Sequence, residues 1–124
     1  MNTPVTQKKK VLVIDDNKGI LFIMQKALGM QEYDVHISET FDGVESVEKA
    51  APDLLFLDIS LAGQDGREVA KILKTDERTK HIPIVILTAY PNAHELAKDA
   101  GANDHLSKPF ELTDLWDIAA KHIA

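Results

Sequence analysis

Three short runs in this chain are apolar at every position: Val11-Leu12-Val13-Ile14, Leu54-Leu55-Phe56-Leu57 and Ile84-Val85-Ile86-Leu87. A strand with one wet face alternates polar and apolar residues, so an unbroken apolar run reads as a strand covered on both faces. Each run is followed by a segment with helical spacing. Ile20, Leu21, Met24, Ala27 and Leu28 follow the first, with Gly29 placed as a C-terminal cap; Val69, Ile72 and Leu73 follow the second; Leu96, Ala97 and Ala100, closed by Gly101, follow the third. Between them, Tyr33 to Ser38 alternates with period two and leads to Val44, Val47, Ala50 and Ala51 on one helix face, with Asp42 near its start. A short polar stretch, Asn103 to Leu106, precedes a last helix marked by Leu112, Leu115, Trp116, Ala119 and Ile123. Five strand–helix units predict an α/β domain: a five-stranded parallel sheet with five helices on its two faces.

The patterns also order the strands. The three continuously apolar runs belong inside the sheet, and the alternating second and polar fifth strands belong at its edges. The doubly wound order 2-1-3-4-5 satisfies this, and its ligand crevice lies between strands one and three, where the winding reverses. Asp15-Asp16 ends strand one, Asp58 ends strand three, Thr88-Ala89 ends strand four and Lys108-Pro109 follows strand five. Parallel strands bring these groups to one edge.

Three carboxylates within about 4–6 Å repel, by roughly 4 kcal/mol per pair at 4 Å and an effective dielectric near 20. Such a cluster requires a cation, a proton or a lysine, and a hard divalent ion such as Mg2+, which keeps its waters and bridges to phosphate, suits its oxygen ligands. Asp58 can act as a nucleophile toward phosphorus. Phosphoryl transfer asks mainly for positioning and charge neutralisation, which a metal and Lys108 supply, with Thr88 as a donor to a phosphoryl oxygen. Taken singly, an Asp after a strand is equally a helix cap or turn residue, and Thr88 a strand-end cap. The constellation, not any one member, points to phosphoryl chemistry.

Composition narrows the alternatives. The chain has 124 residues, 44% of them hydrophobic, which supports one packed domain, read as residues 9–124 after a short tail over 1–8. It contains no cysteine, which removes disulfides and thiolate metal sites and fits a reducing cytoplasm. A net charge of −6 makes direct nucleic-acid binding a poor reading, and Lys8-Lys9-Lys10 reads as solvated surface. No run reaches the roughly 20 apolar residues of a spanning helix, so no membrane association is expected.

The motifs Val11–Asp16, Asp53–Asp58, Asp65-Gly66, Pro83–Ala89, Gly101-Ala102 and Lys108-Pro109-Phe110, in this order and at these separations, resemble the receiver domain of two-component response regulators, over about residues 10 to 123. The resemblance implies the same flavodoxin-like fold and strand order. It implies Asp58 as phosphoacceptor; Asp15, Asp16, Asp58 and the backbone carbonyl of Ser60 as Mg2+ ligands; Thr88 and Lys108 gripping the phosphoryl group; and a cis Lys108–Pro109 bond. It implies a signalling switch rather than an enzyme, cytoplasmic, phosphorylated by a histidine kinase or a histidine phosphotransfer protein. A downstream protein or fused domain would then read the face of helix four, strand five and helix five.

Two departures stand out. Family members usually carry Met and Pro where Leu61 and Ala62 stand, so the loop Asp58–Gly63 is expected to be looser. The switch aromatic, three residues before the lysine, is replaced by His105. Tyr90, two residues past Thr88, falls near the mouth of the crevice. Met1 suggests a true start and the short last helix leaves the end open, so the chain reads as a stand-alone receiver or as a piece of a longer regulator or hybrid kinase. The alternatives are an unphosphorylated pseudo-receiver that only binds, a Mg2+-dependent aspartyl phosphatase, and a flavin carrier. Against the phosphatase, the adjacent Asp15 and Asp16 lack the two-residue spacing of nucleophile and general acid. Against the flavin carrier, Asp15-Asp16-Asn17-Lys18-Gly19 is not a hydroxyl- and glycine-rich phosphate loop.

Overall fold

The computed structural model describes residues 8–123; residues 1–7 of the expected tail lie outside the described residues. The chain runs β1 (Lys10–Ile14), α1 (Lys18–Gly29), β2 (Asp34–Ser38), α2 (Val44–Ala50), β3 (Leu54–Asp58), β4 (Ser60–Leu61), β5 (Gln64–Asp65), α3 (Gly66–Thr75), β6 (Ile84–Thr88), α4 (Ala93–Asp99), β7 (Asp104–Ser107) and α5 (Leu112–Ile123). The five-stranded sheet has the order β2-β1-β3-β6-β7, all pairs parallel. Since β4 and β5 form a separate small hairpin, this is the predicted order 2-1-3-4-5.

Alternate residues of each central strand feed two cores. Leu12, Ile14, Leu55, Leu57, Ile84 and Ile86 face Val47, Val69, Leu73 and Ala97, so α2, α3 and α4 cover one side. Val11, Val13, Leu54, Phe56, Val85 and Leu87 face Leu21, Met24, Leu115 and Ala119, so α1 and α5 cover the other. Burial on both faces explains why Val11–Ile14, Leu54–Leu57 and Ile84–Leu87 contain no polar residue. The expected edge strands behave as such: β2 is largely exposed, and β7 buries only Leu106. Among the described residues, no helix is long and apolar enough to cross a membrane.

Several details differ from expectation. Gly29 is the last residue of α1, not its cap; the reversal is made by Glu32 at φ 64°. Its N–H bonds the Gly29 carbonyl and that of Tyr33 the Leu28 carbonyl, closing the helix as a Schellman turn whose following residue, Tyr33, packs on the core. Ala51 does not continue α2 but caps it in the left-handed region at φ 47°. Ile72 is exposed, because the buried stripe of α3 runs through Gly66, Val69, Ala70 and Leu73 and Ile72 sits about 100° back from Leu73. Leu112, in the first turn of α5, is exposed as well. The Gly101 cap holds: at φ 76°, it donates to the Lys98 carbonyl while Ala102 donates to that of Ala97.

Left-handed backbone costs an L-residue roughly 1 kcal/mol that glycine avoids. Ala51 is exposed and contributes no side-chain hydrogen bond to offset this. Ala51→Gly is therefore expected to raise stability by about 0.5–1 kcal/mol in urea denaturation; a loss of stability would show that the strain is compensated elsewhere.

Candidate functional site

Asp15 follows β1 and is fully buried. Its N–H extends the β1–β2 ladder by bonding the Ser38 carbonyl at 3.1 Å. Its Oδ1 accepts the Asn17 N–H at 2.9 Å, and its Oδ2 accepts from Lys108 Nζ at 2.8 Å. Asn17 also caps α1, its side chain accepting the Ile20 N–H at 3.1 Å. Asp16, next to Asp15, is exposed. Asp58, the last residue of β3, is 5% exposed. One carboxylate oxygen from each of Asp15, Asp16 and Asp58 lies within 4.8 Å of the other two.

Lys108 is the local counter-charge. Its Nζ is 2.8 Å from Asp15 and 3.4 Å from Asp58. It arrives from the far side of the sheet because its N–H bonds the Thr88 carbonyl at 2.8 Å, prolonging the β6–β7 pairing, and the Lys108–Pro109 peptide is cis. Burial, with the neighbouring Asp15 charge, pushes the Asp58 carboxyl above its ordinary pKa, against the pull of Lys108 and of the Ser60 N–H at 3.2 Å. Three acids against one ammonium leave the crevice electron-rich. Its donors are hard oxygens with room for water on the Asp16 side, a set that fits Mg2+ and does not fit a soft metal.

Thr88 ends β6 and is buried. It lies one position beyond Leu87, the residue in register with Asp58. Its hydroxyl oxygen accepts the Tyr90 N–H at 3.0 Å, leaving the hydroxyl proton free to donate. Tyr90 is exposed and borders an open pocket of about 400 Å³ shared with Ser60, Arg67 and Asn92.

The segment after Asp58 forms a short hairpin. Ser60 pairs with Asp65 and Leu61 with Gln64, Gly63 takes φ 73° at the turn, and Leu61 is buried under α3. Leu61 joins the same buried cluster as Val69, Ala70 and Leu73 of α3. Gly66 completes the arrangement. A Cβ there would lie 2.2 Å from the Asp58 carbonyl oxygen and 2.6 Å from Ile59 Cα, and its N–H bonds the Ile59 carbonyl at 2.9 Å. Asp65, beside it, caps α3 on the Arg67 N–H; the Arg67 side-chain hydrogen bonds hold its carboxyl below the usual range. Sequence reading singled out Asp65-Gly66 only as a motif. The signal for Gly66 was there, a glycine in a helix start, but the atom it must avoid is on another strand.

His105 lies apart from the crevice, on the outer edge of the sheet. It is partly buried, with its ring in edge-on contact with that of His94, 5.6 Å between centres. Its neighbour Asp104 is desolvated, yet hydrogen bonds from His122, from the His105 N–H and from Lys121 hold its pKa down to about 2.

With this geometry in view, comparison with known proteins is consistent throughout. The sequence profile of the response regulator receiver domain matches residues 11–120. The DNA-binding dual master transcriptional regulator RpaA of Synechocystis is 36% identical over 86% of this chain, which spans 45% of that protein. Sporulation initiation phosphotransferase F of Bacillus subtilis is 29% identical, covering 93% of this chain and 94% of its own. Among solved structures, the receiver domain of the sensor histidine kinase PA1611 of Pseudomonas aeruginosa, with a magnesium ion coordinated in its active-site cleft, superposes with a TM-score of 0.84. It is 27% identical, over 94% of this chain and 98% of that one.

Two outcomes are expected. Gly66→Ala forces Cβ into backbone, so it should cost about 1–3 kcal/mol; an unchanged denaturation midpoint would mean that the Asp58–Ile59 backbone yields freely. For Asp58, a raised folded pKa means that the native state binds more protons than the unfolded state between the ordinary value and the raised one. Wild-type stability therefore falls as pH rises through that window. With divalent cations chelated, Asp58→Asn should be more stable than wild type at neutral pH, and the advantage should vanish as pH drops below the ordinary carboxylate value. Equal midpoints at neutral pH would contradict the raised pKa.

Proposed function

This chain belongs to the response regulator receiver domain family, signalling switches of two-component phosphorelays, and we propose that it acts as a phosphoacceptor whose acceptor is Asp58. The observation that carries this reading is the meeting of Asp15, Asp58 and Lys108 from three strand ends, with Asp16 completing the carboxylate triad. A phosphorus atom passes from a ring nitrogen of a phosphohistidine donor to a carboxylate oxygen of Asp58: the N–P bond breaks, an O–P bond forms, and the imidazole leaves as the neutral ring after taking a proton.

Asp15 and Asp16, with Asp58 and the Ser60 carbonyl, are the ligands proposed for Mg2+, which when bound supplies the charge neutralisation that lets an anionic carboxylate meet an anionic phosphoryl group. Lys108 starts on Asp15 and Asp58, and swings its ammonium to a phosphoryl oxygen as charge builds there. Thr88 donates its free hydroxyl proton to another. Gly66 lets α3 pack directly against the Asp58 carbonyl and Ile59.

Thr88 and Lys108 are joined through backbone, the Lys108 N–H on the Thr88 carbonyl. A shift of Thr88 toward the phosphoryl group therefore strains β7, which carries His105. In this reading His105 turns inward and the face of α4, β7 and α5 changes, to be read by a downstream protein or a fused domain. The donor is a histidine kinase or histidine phosphotransfer protein, and the setting is cytoplasmic.

A small phosphodonor with Mg2+ should add one phosphoryl group to the chain by intact mass. The gain should be lost in Asp58→Asn and without Mg2+. A phosphoryl group that maps to Ser60 or Thr88 would overturn the assignment.

A further inference from the structure

A second set of metal-binding side chains lies outside the acidic crevice, where α4 meets β7. His94 is exposed on α4 and His105 is partly buried on β7. Their ring centres are 5.6 Å apart, with planes at 73°. Behind His105, its Nδ1 is 3.9 Å from Asp104 Oδ1. The other oxygen of Asp104, Oδ2, is occupied by Lys121 and His122, each at 3.0 Å. The two histidines border an open cavity of about 300 Å³, also lined by Lys98, Asn103 and Lys121.

The spacing is that of two imidazoles on one ion. With Zn–N near 2.0–2.1 Å and a tetrahedral angle, two ligating rings have centres roughly 5.2 Å apart. The observed separation is within half an ångström of this. The edge-on contact means that one ring must turn about its terminal torsion, which in histidine is soft. Ligating histidines characteristically donate their second ring N–H to a carboxylate, which fixes the tautomer. Asp104 Oδ1 accepts the His105 backbone N–H at 2.9 Å and stands 3.9 Å from Nδ1, so the ring turn that ligation requires must also bring Nδ1 within hydrogen-bond reach of it, while the lysine and third histidine hold Oδ2. Lys98 and Lys121 oppose a cation here, and the Asp104 charge offsets Lys121.

We propose that His94 and His105 form a site for a borderline first-row divalent cation such as Zn2+, with Asp104 as the carboxylate behind His105 and water in the remaining positions. Nitrogen donors separate this site from the all-oxygen crevice, so it and a Mg2+ site can be filled independently. The ion ties β7 to α4 and holds the His105 ring on the outer face. Resting on the switch described above, this makes the metal an antagonist of phosphorylation: it retains the conformation that an inward His105 must leave.

The test is a Zn2+ titration of the full chain in saturating Mg2+, followed by calorimetry and by NMR of the histidine rings. One equivalent should bind, perturbing His94 and His105. His94→Ala should weaken binding roughly tenfold or more, and replacing the exposed His81 by Ala should leave it unchanged. Binding that survives His94→Ala, or that maps to Asp15, Asp16 and Asp58, overturns the site. Zn2+ should also lower the extent of Asp58 phosphorylation by a small phosphodonor in wild type and not in His94→Ala. Equal phosphorylation with and without Zn2+ overturns the antagonism. Failure to phosphorylate even without Zn2+ would instead count against the phosphoacceptor reading, and the titration would still decide the metal site.

Discussion

Asp15 has no solvent exposure, and a carboxylate in that position is tolerable because Lys108, 93 residues further along, reaches it at 2.8 Å. A buried charge without a partner costs several kcal/mol, so the contact ties the first strand end to the last. It forms only when β1, β3, β6 and β7 are all paired in register, since the lysine has to pass the end of β6 and the Asp58 carboxylate to arrive. The crevice is thus a product of the whole sheet, and its acidity is what remains after one ammonium is shared between two acids.

The sheet divides its helices between two packed faces. α1 and α5 share a core on one face and α2, α3 and α4 on the other. β7 is the element that touches both the crevice and the outer edge. Lys108, immediately after it, reaches into the crevice. His105 turns to the side of α4, and Asp104 to α5 through Lys121 and His122. In the proposed switch, a strand placed this way gives a displacement at the crevice a path of only a few backbone residues to the periphery.

The parts that resisted sequence reading share one physical cause. Glu32 and Ala51 take left-handed backbone at helix ends, where glycine would have advertised the turn. Local propensity loses there to the need to bring the next strand back at a set height. Gly29 attracted the cap assignment because a glycine near a helix end usually is one. The loop over Asp58–Gly63 was expected to be looser for want of a proline; the pairing of Ser60 with Asp65 and the burial of Leu61 in the α3 core cluster were not legible in the sequence. Gly66 excludes a side chain because of backbone atoms at the end of β3, and His94 meets His105 only because α4 packs beside β7.

What the sequence by itself determined is considerable: the number and order of the sheet strands, which of them lie inside, and that Asp15, Asp16, Asp58, Thr88 and Lys108 end up on one edge. These follow from period and from the rule that parallel strands end together, both of which are local or topological properties. Tertiary structure alone decided which acid the lysine grips, how close the carboxylates stand, how the hairpin after Asp58 is held, and that two histidines from different elements face each other. Each of these depends on distances between residues far apart in the chain, and periodicity has no information about such distances until the sheet has closed them.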